Sequence, residues 1–182
     1  LRNLIKPNKT LLGVGPMSVN CVKAASRLSN KFRFPIMLIA SRRQIDSKEN
    51  GGGYVNNWST ENFAKYVKSK DKKNMVILSR DHGGPWQNNL EIENNFDLKK
   101  AMESSKDSYL TDIKSGFQIL HIDPSIDPFN SINTDTIISK HSNFIGYFIH
   151  GLKLKSYEFK KYKTKKETRI ISLNIIGNKN NL

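Results

Sequence analysis

The strongest constraint on this chain is a repeated change of hydrophobic period. Unbroken apolar runs, PIMLIA (35–40) and MVIL (75–78), alternate with stretches whose apolar residues recur every three or four positions. The unbroken runs suit strands covered on both faces, and the longer period marks amphipathic helices. TLLGVG (10–15) and FQILHID (117–123) add a first and a fourth strand. Between them lie SVNCVKAASRLSNKF (18–32), with Val19, Val22, Ala25 and Leu28 on one stripe, and STENFAKYVKSK (59–70), with Phe63, Tyr66 and Val67. Ser59 caps the second helix by type and position, and DLKKAMESSKDSYLTDIKSG (97–116) has Asp97 to open it and Gly116 to stop it. A further helix is expected within 134–150, and RIISLNII (169–176) reads as a fifth strand. The class is α/β.

A doubly wound sheet and a (β/α)8 TIM barrel both fit that order. GVGPMS after the first strand puts proline where a dinucleotide-binding glycine turn needs glycine. The polar clusters fall consistently at the carboxyl ends of strands: GPMS after the first, SRRQ after the second, RDH after the third, His121 and Asp123 at the fourth. A barrel builds its active site on that face. A barrel takes about 250 residues, so 182 residues predict about its first five βα units. The expectation is one barrel domain over 1–182, incomplete at the C-terminus.

Charge offers a competing reading. The chain has 30 Lys+Arg against 16 Asp+Glu, a formal +14. Much of the excess sits in KLKSYEFKKYKTKKETR (153–169), expected as a solvated helix face, with a nucleic-acid-binding surface as the alternative. Abundant Lys, Asn and Ile together also follow from AT-rich coding, which weakens the nucleic-acid reading. One cysteine, Cys21, excludes an internal disulfide framework and is expected in the core. No apolar run approaches the roughly 20 residues of a membrane span, and the start lacks a signal-peptide pattern. The expected compartment is the cytoplasm.

The stretch VILSRDHGGPWQ (76–87), with GGGYVNNWSTENFAKYV before it and GFQILHIDPS after it, resembles the tagatose-bisphosphate aldolase Z-type subunit family. The resemblance rests on Gln44 with Gly52, Gly53 and Tyr54; on Asp81, His82, Gly84, Pro85, Trp86 and Gln87; and on Gly116, Phe117, His121, Asp123 and Ser125. It spans residues 10 to 127. GVGPMS departs from the usual serine- and cysteine-containing turn, and IIGNKNN keeps little of the acidic stretch that follows the fifth strand. The resemblance implies a class II aldolase-like barrel of sugar-phosphate metabolism, an accessory partner to a catalytic aldolase subunit, and a phosphorylated ketose as ligand. It also implies Zn2+ bound by His82, with Asp81 moving a proton.

Three roles for the Asp81–His82 pair stay open: metal-assisted catalysis, a substrate-like site kept in a non-catalytic subunit, and capping of the Gly-Gly turn. A catalytic zinc needs three protein ligands and an open position. His121 and Asp123, two apart on one strand face, are candidates to help bind substrate. Arg42 and Arg43 are the candidates for phosphate, because guanidinium forks match its oxygens. Ser18 and Asn20 lie at a helix start, where they either cap or face an anion. Gln44 and Ser125 complete the expected substrate set. Gly51–Gly53 is either a lid hinge or a turn, and Trp86 is expected to pack.

Overall fold

The computed structural model describes residues 11–123, 126, 128, 157–163 and 168–175, the last two segments as strands only. Ten elements follow in order: β1 (Leu12–Val14), α1 (Val19–Phe32), β2 (Ile36–Ser41), α2 (Thr60–Lys70), β3 (Val76–Gly83), α3 (Asn89–Glu93), α4 (Leu98–Ser115), β4 (Ile119–Ile122), β5 (Tyr157–Lys163) and β6 (Thr168–Ile175). The sheet order is β1-β2-β3-β4-β6-β5. The first four strands run parallel, and β6 and β5 complete the sheet as an antiparallel pair.

The α/β class is therefore observed, and among the described residues the sheet has four parallel strands and is open rather than closed into a barrel. Two expectations need correction. The strand at 169–176 exists as β6 but lies antiparallel to β4, so it does not continue the parallel series. Part of the basic segment 153–169 is strand β5, hairpin-paired with β6, rather than a helix face. Its alternating Tyr157, Phe159 and Lys160–Lys161 suit a pleated ribbon as well as a helix, and charge alone does not choose. The helix expected within 134–150 lies outside the described residues.

The caps anticipated for the helices form. Ser59 accepts from the Asn62 amide at 3.3 Å and Asp97 from the Lys100 amide at 2.8 Å. Asp71 takes the amides of Met75 and Val76 at 3.0 and 2.8 Å, setting the entry to β3. The core gathers Ile36, Leu38 and Ala40 of β2, Val76 and Leu78 of β3, and Phe63 and Val67 of α2. Phe63 sits between Trp58 and Phe117, with ring centroids 5.5 and 6.3 Å away. Fully burying such a ring contributes about 1.5–3 kcal/mol.

On α1 the buried face is Val22, Ala25, Ser26 and Ser29, while Leu28 is exposed. Of the expected stripe, Val22 and Ala25 are buried and Val19 packs against the core, and only Leu28 lies off it. Cys21 is only partly buried, its thiol 3.3 Å from the Gly15 carbonyl, rather than a core residue. The buried face of α4 is more unusual, since four of its five residues are polar: Ala101, Ser105, Ser108, Tyr109 and Asp112. That face meets two arginines arriving from the sheet side.

Candidate functional site

Strand β3 does not stop before the Asp-His pair. It runs on through Arg80, Asp81 and His82 to Gly83. Arg80 pairs with Leu120 and Gly83 with Ile122, so three steps on β3 oppose two on β4. This bulge re-aims the side chains it contains. His82 takes φ 42°, in the left-handed region that a non-glycine residue occupies at a cost. An Asp-His pair at the strand exit is thereby turned onto two different neighbours.

Those neighbours come from β4 and the residue that follows it. His82 Nδ1 lies 2.7 Å from Asp123 Oδ2, and His121 Nδ1 lies 3.1 Å from Asp81 Oδ1. His82 Nε2 is 3.5 Å from Asp81 Oδ2, which joins the two pairs. Carboxylate and imidazole alternate along the chain Asp123–His82–Asp81–His121. Gln87 fastens one end by donating to Asp123 Oδ2 at 3.0 Å. The hydrogen bond from His121 holds the Asp81 carboxyl below its ordinary range; partial burial opposes this, and the charge of His82 adds to it. His82 is the most open member, with 55% of its side chain exposed.

Beside it lies a cleft of about 320 Å³ lined by Ser41, Arg43, His82, Gln87 and Ile126. Small-molecule sites start near 300 Å³. Arg43 is exposed and brings a guanidinium to the same cleft as the His82 imidazole. A basic side chain and an imidazole thus line one opening.

Arg42 points the other way, which corrects its assignment to phosphate. It is fully buried, and its guanidinium donates to Asp46 at 2.9 Å, to the Gly84 carbonyl at 2.6 Å and to Ser104 at 3.1 Å, with Glu91 at 2.7 Å. Arg80 is buried as deeply and grips Asp112 through two bonds of 2.8 and 2.6 Å. Burial works against both charges, but the facing carboxylates outweigh it and hold both arginines above their ordinary values. Arg42 supports the Gly83-Gly84 turn from beneath.

Other expected site residues take local roles. Ser18 caps α1, accepting from the Cys21 amide at 3.1 Å, and Asn20 is exposed on the first turn. Gln44 closes the turn after β2, its side-chain oxygen accepting from the Ser41 amide at 2.8 Å. Ser125 lies outside the described residues. Trp86 packs as expected: it is buried, and its indole donates to the Phe96 carbonyl at 2.9 Å. Asp81 does not cap the Gly-Gly turn; it faces His121. Gly51–Gly53 is a turn tied by backbone bonds, Gly52 to Ser47 at 2.9 Å and Gly53 to Trp58 at 3.1 Å.

Sequence reasoning missed the polar bed under the rim, made by Asp46, Glu91, Tyr109 and Asp112. Its signal was present: Ser105, Ser108, Tyr109 and Asp112 recur at helical spacing along α4.

Zinc fits this arrangement poorly. Asp123 on Nδ1 is the kind of partner that orients a metal-binding histidine. Yet the other ring nitrogen of His82 faces Asp81, and among the described residues no three His, Cys, Asp or Glu side chains are grouped to hold a metal. The imidazoles and carboxylates pair with one another instead.

No protein-family model matches the sequence, and no curated protein matches it. Among solved structures the chain is similar to a probable tagatose 6-phosphate kinase from Sinorhizobium meliloti 1021, at 17% identity and a TM-score of 0.61. The match covers 77% of this chain and 36% of that one, so the chain spans about a third of its neighbour's length. A hypothetical protein from Ruminiclostridium thermocellum ATCC 27405 aligns at 11% identity and a TM-score of 0.49, over 77% of this chain and 92% of that one. At such identity the first likeness is one of fold alone, an α/β chain. Among the described residues no helix is long and apolar enough to cross a membrane.

Proposed function

We propose that this chain binds a phosphorylated ketose at the carboxyl rim of its parallel strands and acts in the cytoplasm as an accessory subunit to a class II aldolase. The observation that supports the reading is the meeting of Arg43 and His82, itself held by Asp123, at one cleft. The guanidinium matches phosphate oxygens. His82, Gln87 and Ser41 present polar groups suited to sugar hydroxyls, and Asp81 is the carboxylate best placed to exchange a proton with His121. The parallel βα units are, in this reading, the opening part of an aldolase-type barrel. The structural neighbour, a probable tagatose 6-phosphate kinase, points to the same class of ligand. No step is assigned to zinc.

The test incubates the chain with tagatose bisphosphate, alone and with a catalytic class II aldolase subunit, with and without chelator. The accessory reading expects little cleavage alone and a higher, longer-lived rate with the partner. No enhancement in any combination rejects it. Neutralising the lysines of 153–169 leaves the enhancement unchanged in this reading, whereas a nucleic-acid module would lose its binding.

A further inference from the structure

A tyrosine from α4 reaches both strand exits that carry the site. Tyr109 is only 1% exposed, and its hydroxyl contacts the carbonyl oxygens of Gly83 on β3 and of His121 on β4, the latter at 2.9 Å. Burial pushes the phenol well above its ordinary pKa, so it keeps its proton and stays a donor. Gly83 makes room for it, because a Cβ there would run into the hydroxyl and the ring. The Gly83 carbonyl also accepts from the Asp123 amide at 2.5 Å. The tyrosine thus seats itself where the β3 bulge meets β4, next to the left-handed backbone of His82.

We infer that Tyr109 is a positioning residue for the rim site. Its hydroxyl, set in the space left by Gly83, fixes the exit of β3 against the exit of β4. That holds His82 against Asp123 and His121 against Asp81. Tyr109 acts through the backbone and lines no part of the cleft. A single phenolic proton bridges two carbonyls, so removing the hydroxyl loosens both strand ends while a phenylalanine ring keeps the packing. The consequence for ligand binding rests on the proposed function; the geometric role does not.

The test is Tyr109→Phe in the full chain, read by the imidazole NMR resonances of His82 and His121 and by titration with tagatose bisphosphate. Single His82→Gln and His121→Gln variants assign the resonances. The inference expects both sets of resonances to move and affinity to fall about tenfold, the worth of one well-placed hydrogen bond. Met102→Ala, on the same helix and packed against the core, serves as the control: it lowers Tm without moving either readout. If Tyr109→Phe does not fold, Gly83→Ala decides, since its methyl must displace the hydroxyl and shift the same resonances. Unmoved resonances, or equal movement in Met102→Ala, overturn the inference. If the resonances move but the parent chain binds no ketose phosphate, the proposed function fails and the role of Tyr109 stands.

Discussion

His82 and Asp123 meet at 2.7 Å across the exits of β3 and β4, although 41 positions separate them in the chain. Parallel neighbours bring their carboxyl ends together, and the bulge before Gly83 turns the imidazole onto the adjacent strand. The site is therefore a property of sheet register, and its response to change follows from which groups face each other.

Asp81 gives a prediction with a definite sign. Its folded pKa is depressed, chiefly by the His121 hydrogen bond. Stability from that contact is present above the unfolded carboxylate value and is lost as pH falls through the lower folded value. The Asp81 carboxyl should titrate below the usual carboxylate range and move up in His121→Gln. NMR titration of the side-chain carbonyl carbon measures both; an unchanged curve in the variant contradicts the pairing.

Arg80 and Asp112 form a fully buried pair, both side chains at 0% exposure. Arg80→Met strands a carboxylate in the core and should cost about 3–5 kcal/mol in denaturant unfolding. The double variant Arg80→Met/Asp112→Leu should recover much of that loss, because no charge is left unmatched. Equal stability for the single and the double variant would count against the account.

How far the sequence revealed this arrangement depends on the range of each contact. Ser59 and Asp97 bond amides three residues away, so their capping was readable locally. The rim was readable because strand ends carry their polar residues in order. Arg42 and Arg43 were not separable by type: adjacent side chains at a strand exit diverge, and only the fold shows that Asp46 and Glu91 wait for one and a cleft for the other. The buried face of α4 could not be assigned for the same reason. A polar residue at a core position looks like an error until the buried arginine that matches it is found. The antiparallel β6 shows the limit of pattern reading, since an apolar strand states no direction.

Gly53 tests whether the 47–58 loop is a turn or a hinge. A Cβ at this position would run into the backbone of Gln44 and Ile45, which cannot swing aside. Gly53→Ala should therefore destabilise the fold by about 1–3 kcal/mol, the usual cost of overpacking. A free hinge would accept the methyl with no change in the urea midpoint.

The most direct test of the central claim is calorimetric titration of tagatose bisphosphate into the full chain and into its Arg43→Ala variant. The account predicts saturable binding that weakens by about tenfold or more without Arg43, consistent with a charge-assisted bond to phosphate, while Tm stays at the parent value because Arg43 is exposed. No heat of binding to the parent chain, or the same affinity in both proteins, would contradict it.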